Sequence, residues 1–220
     1  MARQHFHNIP TVFAAVLYPS LSGFVKSLMN PGDNVTGASL NLPVETQFRY
    51  FKTIIPDLQR VGVLYTDNTA PLVEQARAIA ADIGIQLEAI RVNDQRDLPE
   101  AIDSLRHSIQ GVWSLADPTL FSPQATKFIL LNLLRDGIPV MGFSRHVVES
   151  GALFGLDFDY KAVGRQAGEI VVQVIDGTPA SSIPVTRPDI IWFHYNERTA
   201  KFLHISMPPE LVAVAKEVYR

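Results

Sequence analysis

Apolar and polar positions along the chain follow two rhythms that keep replacing each other. The run TVFAAVL (11–17), with Val12, Phe13 and Val16, predicts a strand. Residues 20–28 have helical spacing and close at the turn Asn30-Pro31-Gly32-Asp33. Residues 44–55 place Phe48, Phe51, Ile54 and Ile55 on one helical face. RVGVLY (60–65) is a nearly continuous apolar run, as expected of a strand covered on both faces. TAPLVEQARAIAADIG (69–84) is an amphipathic helix stopped at Gly84. IQLEAIRV (85–92) alternates like a strand, 98–109 predicts a helix, GVWSLA (111–116) a strand, and 123–136 a helix ending at Gly137. IPVMGFS (138–144) and GALFGLD (151–157) predict strands, and 160–176 the helix after them. DIIWFHYN (189–196) predicts a further strand, and ERTAKFL (197–203) and PPELVAVAKEVYR (208–220) predict helices.

Strand and helix exchange every ~20–30 residues, which predicts βαβ units and doubly wound parallel sheets of the α/β class. Residues 61–144 form a nearly self-contained set of four strands joined by three helices. No internal repeat and no low-complexity segment interrupts the pattern.

Composition narrows the function classes. The chain has 220 residues, 47% of them apolar and 19% charged, as a globular protein with a good core should. A net charge of −3 without a basic cluster argues against nucleic acid as the partner. Cysteine is absent, so neither disulfides nor thiolate metal sites are available. The apolar run 9–17 after Arg3 invites comparison with an export leader, but Pro10 interrupts it and no small-x-small cleavage site follows. The strand reading is preferred. No segment approaches the ~18 continuous apolar residues of a membrane span.

The candidate chemistry lies where strands end. Tyr18 follows the first strand, Tyr65 follows RVGVL, Asp117 follows GVWSLA, Phe143 and Ser144 follow IPVMG, and Asp157 follows GALFGL. In open α/β sheets ligands bind at the carboxyl ends of the strands. Carboxylates there suit an ammonium or hydroxyl, aromatic rings suit an apolar or aromatic portion, and helix N-termini favour anionic groups. Together these residues predict a pocket for a small zwitterion or polar organic solute. Taken singly, polar residues after a strand are also ordinary helix N-caps, and Asp67, Asp97 and Ser122 are read as caps or turns. Trp113, in mid-strand, is read as core and Tyr160 as cover for a sheet edge.

Enzyme patterns are weak. No Gly-rich phosphate loop occurs, which leaves dinucleotide and nucleoside triphosphate sites without support. His5 and His7 lack a third ligand, and His194 and His204 lack zinc-protease spacing, so no cofactor or metal is expected. GFSRH (142–146) puts Ser144 at a strand-to-helix turn, but His146 replaces the second glycine of a nucleophile elbow.

Several stretches, in order, span nearly the whole chain and carry a family resemblance: IPTVFAAV, SLMNPGDNVTGAS, RVGVLY, GIPVMGFS, GALFGLDFDYKAVGRQAGEIVVQVIDGTPASSIPV and NERTAKFLHISMPPELVAVAKEV. The most specific are Asn30-Pro31-Gly32-x-Asn34-Val35-Thr36-Gly37 and Gly164-Arg165-Gln166-Ala167-Gly168. The chain resembles the ABC-transporter substrate-binding proteins that include tryptophan- and tyrosine-type uptake receptors. The resemblance implies a type I periplasmic-binding-protein-like fold, with two doubly wound lobes closing on a solute in the cleft between them. It also implies permease subunits as partners and a periplasmic or extracytoplasmic location. It places Asp157 near the cleft, with Tyr18, Ser39, Asn41, Tyr65, Asp117 and Ser144 as neighbours.

Two departures from the family pattern shape further expectations. Met1 stands eight residues before Ile9, where family members carry several more β-α units. The first lobe is therefore expected to be partial and the second complete. The expected boundaries are 1–38 for the partial first lobe and crossover, 39–145 for the second lobe and 146–186 for the return to the first. Residues 187–220 are expected as a C-terminal strand and helices packing across the hinge. Strands 9–16 and 151–157 with helix 160–176 should then share an incomplete sheet, whose open edge would favour a homodimer. Leu17-Tyr18-Pro19 also stands where the family often carries an Asp. Two other readings stay open: a ligand-binding sensor domain on the same fold, and a serine hydrolase using Ser144.

Overall fold

The computed structural model describes residues 9–220. His5, His7 and the start of the leader-like stretch lie outside the described residues. The chain divides into a first unit, Met1–Leu42 with Phe158–Ile191, and a second unit, Pro43–Asp157 with Trp192–Arg220. The boundaries expected from the sequence lay after residues 38, 145 and 186. Among the described residues no helix is long and apolar enough to cross a membrane.

The second unit is a seven-stranded sheet with helices. Its strands are β3 (Arg60–Tyr65), β4 (Gln86–Arg91), β5 (Gly111–Trp113), β6 (Val140–Gly142), β7 (Phe154–Phe158), β8 (Ile191–Asn196) and β9 (Ala215–Tyr219), in the order β4-β3-β5-β6-β7-β8-β9. Its helices are α1 (Val44–Ile54), α2 (Ala70–Asp82), α3 (Leu98–Arg106), α4 (Pro123–Arg135), α5 (Arg145–Glu149), α7 (Glu197–Phe202) and α8 (Pro209–Val214). The pairs β3–β4, β3–β5, β5–β6, β6–β7 and β8–β9 are parallel. Val61, Val63 and Leu64 of β3 are all buried, which explains the continuous apolar run in the sequence. The face of α1 predicted from spacing packs inward: Phe48 meets Trp113 edge-on at 5.0 Å and Phe51 meets Phe154 at 5.1 Å. A second cluster, including Leu105, Ile109, Val112, Ile129 and Leu133, fills the space among β5, α3 and α4. Trp113 is core as expected, and its indole nitrogen donates to Gln47 Oε1 at 2.8 Å.

Three expectations are corrected here. GALFGLD does not pair with the first strand. β7 hydrogen-bonds to β6 instead, and Leu153 and Phe154 are fully buried rather than on an open edge. The dimer expectation loses that part of its basis. The end of the chain is not one long helix, because after α8 residues 215–219 extend and pair with β8. Pairing overrides a helical pattern of only a few residues. The C-terminal segment therefore completes the second unit's sheet.

The first unit holds β1 (Thr11–Val16), β2 (Val35–Ser39) and α6 (Tyr160–Ile175). β1 and β2 form a two-stranded parallel sheet in which Phe13 pairs with Gly37. That pairing explains the last glycine of the most specific motif: a Cβ on Gly37 would stand 2.1 Å from the Phe13 carbonyl oxygen. Its φ of 158° also lies where side-chain-bearing residues rarely sit. Val163 and Ala167 of α6 pack on Ala38, and Ile170 is buried. The apolar face of α6 is only partly covered, because Val171 is 41% exposed. The helix expected over 20–28 is absent. Turns replace it, and Gly23 at φ 71° is incompatible with a right-handed helix.

Candidate functional site

In the second unit the chain steps from β3 out to β4, then returns to the other side of β3 to lay down β5. The reversal makes the carboxyl ends of β3 and β5 a topological switch point, where such sheets bind ligands. Tyr65 is the last residue of β3, and Asp117 follows β5. Asp117 is buried, and its carboxylate is held by three donors of its own chain. Thr66 Oγ1 donates to Oδ2 at 2.6 Å, Thr69 Oγ1 to the same oxygen at 3.0 Å, and the Thr119 amide to Oδ1 at 2.9 Å. Asp117 thus ties the turn after β3 to the turn after β5. Thr66 and Thr69 were missed in the sequence. Their polar i, i+3 spacing after a strand is the signal that was there to read.

The ends of β6 and β7 come together through Asp157. It is the last residue of the second unit in β7, is 7% exposed, and accepts from the Arg145 amide at 3.3 Å. Arg145 opens α5 directly after Phe143 and Ser144. The Phe143 ring meets Phe121 edge-on at 5.1 Å. Ser144 is the N-cap of α5 by position, yet its side chain makes no cap hydrogen bond. Its backbone is extended, with φ −160° and ψ 163°, which is not the strained turn of a hydrolase nucleophile. His146 Nδ1 lies 3.7 Å from Glu149 Oε2, so its neighbour is a carboxylate.

The first unit has its own strand-end cluster. The Tyr18 amide donates to Asn41 Oδ1 at 2.7 Å, and the Leu40 amide to the Val16 carbonyl at 2.9 Å, which joins the ends of β1 and β2. Burial pushes the Tyr18 phenol up to about 12. Ser39 is fully buried, and its hydroxyl donates to the Thr186 carbonyl at 2.8 Å. Thr186 also accepts from the Ser39 amide at 2.9 Å and was missed in the sequence, because it lies 147 residues away. Of the residues expected as caps or turns, Ser122 caps α4 by accepting from the Ala125 amide, Asp97 makes no cap hydrogen bond to α3 and accepts instead from the amides of Asn93 and Asp94 in the turn before it, and Asp67 pairs with Arg91 at 2.7 Å. Among the described residues no group of three His, Asp or Glu side chains is arranged to hold a metal ion.

The sequence profile of the family described as "ABC transporter substrate binding protein" matches residues 1–219. A curated relative, the "Tyrosine-binding protein" of Clostridioides difficile (strain R20291), is 30% identical over 199 residues, 89% of this chain. The chain spans 57% of the length of that relative. A conserved domain protein from Vibrio cholerae is 30% identical with a TM-score of 0.77, covering 96% of this chain and 71% of the other. The "ABC domain in complex with L-Trp" from Streptococcus pneumonia is 25% identical with a TM-score of 0.77, covering 96% and 72%. A ligand-free, open substrate-binding protein with adhesive properties from Clostridium difficile is 25% identical with a TM-score of 0.78, covering 97% and 72%.

Proposed function

The chain belongs to the ABC transporter substrate-binding protein family, and from that premise we propose that it is the solute-binding component of an importer. Its solute is a small amino-acid-like or aromatic organic molecule. Relatives named for tyrosine binding and for an L-Trp complex support this class. The observation that carries the reading is the buried Asp157 carboxylate at a strand end, joined through Arg145 to the turn that bears Phe143 and Ser144. A buried carboxylate suits a solute ammonium, and Tyr65 and Phe143 suit an aromatic portion. Asp117 serves by positioning Thr66 and Thr69. The corresponding candidates of the first unit are Tyr18, Ser39 and Asn41.

Such a protein performs no group transfer and needs no cofactor. Its work is the difference in affinity between conformations. Its partners on this reading are permease subunits, and its place is outside the cytoplasm.

Thermal unfolding with a panel of solutes tests the proposal. A ligand at 100 times its Kd stabilises by about 2.7 kcal/mol. At roughly 2–4 °C per kcal/mol for a chain of this size, the Tm rise is easily measured. L-tyrosine or L-tryptophan should raise Tm, while L-glutamate and glucose should not. A panel in which no amino acid shifts Tm would contradict the reading.

A further inference from the structure

His194 lies within β8 and is 1% exposed, yet neither ring nitrogen has a hydrogen-bond partner. Unpartnered polar atoms at such depth are costly and uncommon. Four charged groups, Glu217, Asp157, Arg145 and Lys216, act on it. Opposite His194 on β9 stands Glu217, and the register of the two strands shifts at this step, between Phe193 and His194. Bulges of this kind re-aim side chains. His194 Nδ1 is 3.6 Å from Glu217 Oε2. The same oxygen accepts the Tyr219 hydroxyl at 2.6 Å, while Glu217 Oε1 lies 3.5 Å from Arg145 Nη1. Asp157 adds a second negative charge from β7, and Lys216 a positive one from β9, its Nζ lying 4.6 Å from the Trp192 ring centroid. From α5, Glu149 adds a negative charge felt at Tyr219.

Each charge has a part in the balance. Burial lowers the His194 pKa and outweighs the attraction of Asp157 and Glu217. The Tyr219 hydrogen bond holds Glu217 below the usual carboxylate range, and burial, with Glu217, holds the Tyr219 phenol above its own. At neutral pH the imidazole is therefore uncharged, and Glu217 is shared between Tyr219 and Arg145.

We propose that His194 is an acid-responsive switch of the second unit, which on protonation takes Glu217 from Tyr219 and Arg145. The imidazolium would form a charge-assisted hydrogen bond to Glu217 Oε2, the oxygen Tyr219 now uses. It would also repel the Arg145 guanidinium. Arg145 opens α5, and its amide bonds Asp157. Re-pairing at Glu217 therefore reaches the ends of β6 and β7. His194 lies two residues beyond the division at Ile191–Trp192, and Asp157 is the last residue before the division ahead of Phe158, so the switch sits where the chain enters and leaves the unit. The inference does not depend on which solute is bound.

NMR titration of the whole chain from pH 8 to pH 4.5 tests it. His194 should titrate below the ordinary histidine value of about 6.5. The Tyr219 ring and the Arg145 amide should shift with the His194 midpoint. In His194→Gln that step should vanish from the Tyr219 and Arg145 signals. Glu217→Gln keeps the histidine and should uncouple Tyr219 from it, which preserves the test if His194→Gln fails to fold. Tyr219 and Arg145 signals that stay flat while His194 titrates would overturn the proposal. So would a His194 midpoint at or above about 6.5.

Discussion

The Thr66 hydroxyl donates to the Asp117 carboxylate across 2.6 Å, and this one bond joins the end of β3 to the end of β5. The two residues are 51 apart in sequence and both buried, so the bond fixes the switch point of the second unit rather than decorating a surface. Asp117→Ala would strand two threonine hydroxyls and the Thr119 amide. Leaving buried donors unsatisfied costs ~1–3 kcal/mol, so its urea midpoint should fall clearly, and Thr66→Val should lower it less. A midpoint unchanged in Asp117→Ala would show that the carboxylate holds nothing in place.

Gly37→Ala should unpair the first unit. The added Cβ would meet the Phe13 carbonyl and ring, at 2.1 Å and 2.7 Å. Overpacking of this kind costs ~1–3 kcal/mol. Hydrogen exchange at residues 11–16 should accelerate, while β3 stays protected in the separate second unit. Equal protection of β1 in both proteins would contradict the pairing account.

The second unit was largely legible in the sequence, and the first only in β1 and α6. RVGVLY reads as a buried strand because both its faces are covered, and the α1 face reads correctly because Phe48, Phe51 and Ile54 share one stripe. The pairing of β9 with β8 was hidden, because AKEVY has no strand pattern until β8 supplies a partner. β2 was hidden because VTGAS is short, and its glycine is chosen by Phe13 rather than by local propensity. The strand-end positions of Tyr65, Asp117, Ser144 and Asp157 followed from element order alone. Their partners Thr66, Arg145 and Thr186 did not, since a hydrogen bond between turns leaves no periodic trace.

Alkaline titration should single out Tyr18. Its phenol is pushed up to about 12 by burial, so folding favours the neutral form. The unfolded chain loses that proton near pH 10, so stability should decline as pH rises from there and level off near the folded value. Absorbance at alkaline pH should show a late-titrating tyrosine that Tyr18→Phe removes. A Tyr18 step near pH 10 would show that the phenol meets water freely.

Ser144→Ala should leave a chromogenic ester as slowly hydrolysed as the native chain does. Ser144 has an extended backbone, and His146 Nδ1 lies beside Glu149. A serine-reactive phosphonate should therefore leave it unlabelled, and stoichiometric labelling at Ser144 would restore the hydrolase reading.

The central claim is that this chain takes an amino-acid-like or aromatic solute at the strand end marked by Asp157. Calorimetric titration of the folded chain with L-tyrosine and L-tryptophan, beside its Asp157→Ala variant, tests it most directly. A charge-assisted hydrogen bond is worth ~1.5–3 kcal/mol, so the account predicts saturable one-to-one binding that weakens roughly tenfold or more in the variant. No heat from either amino acid with a folded native chain, or equal affinity in the variant, would contradict it.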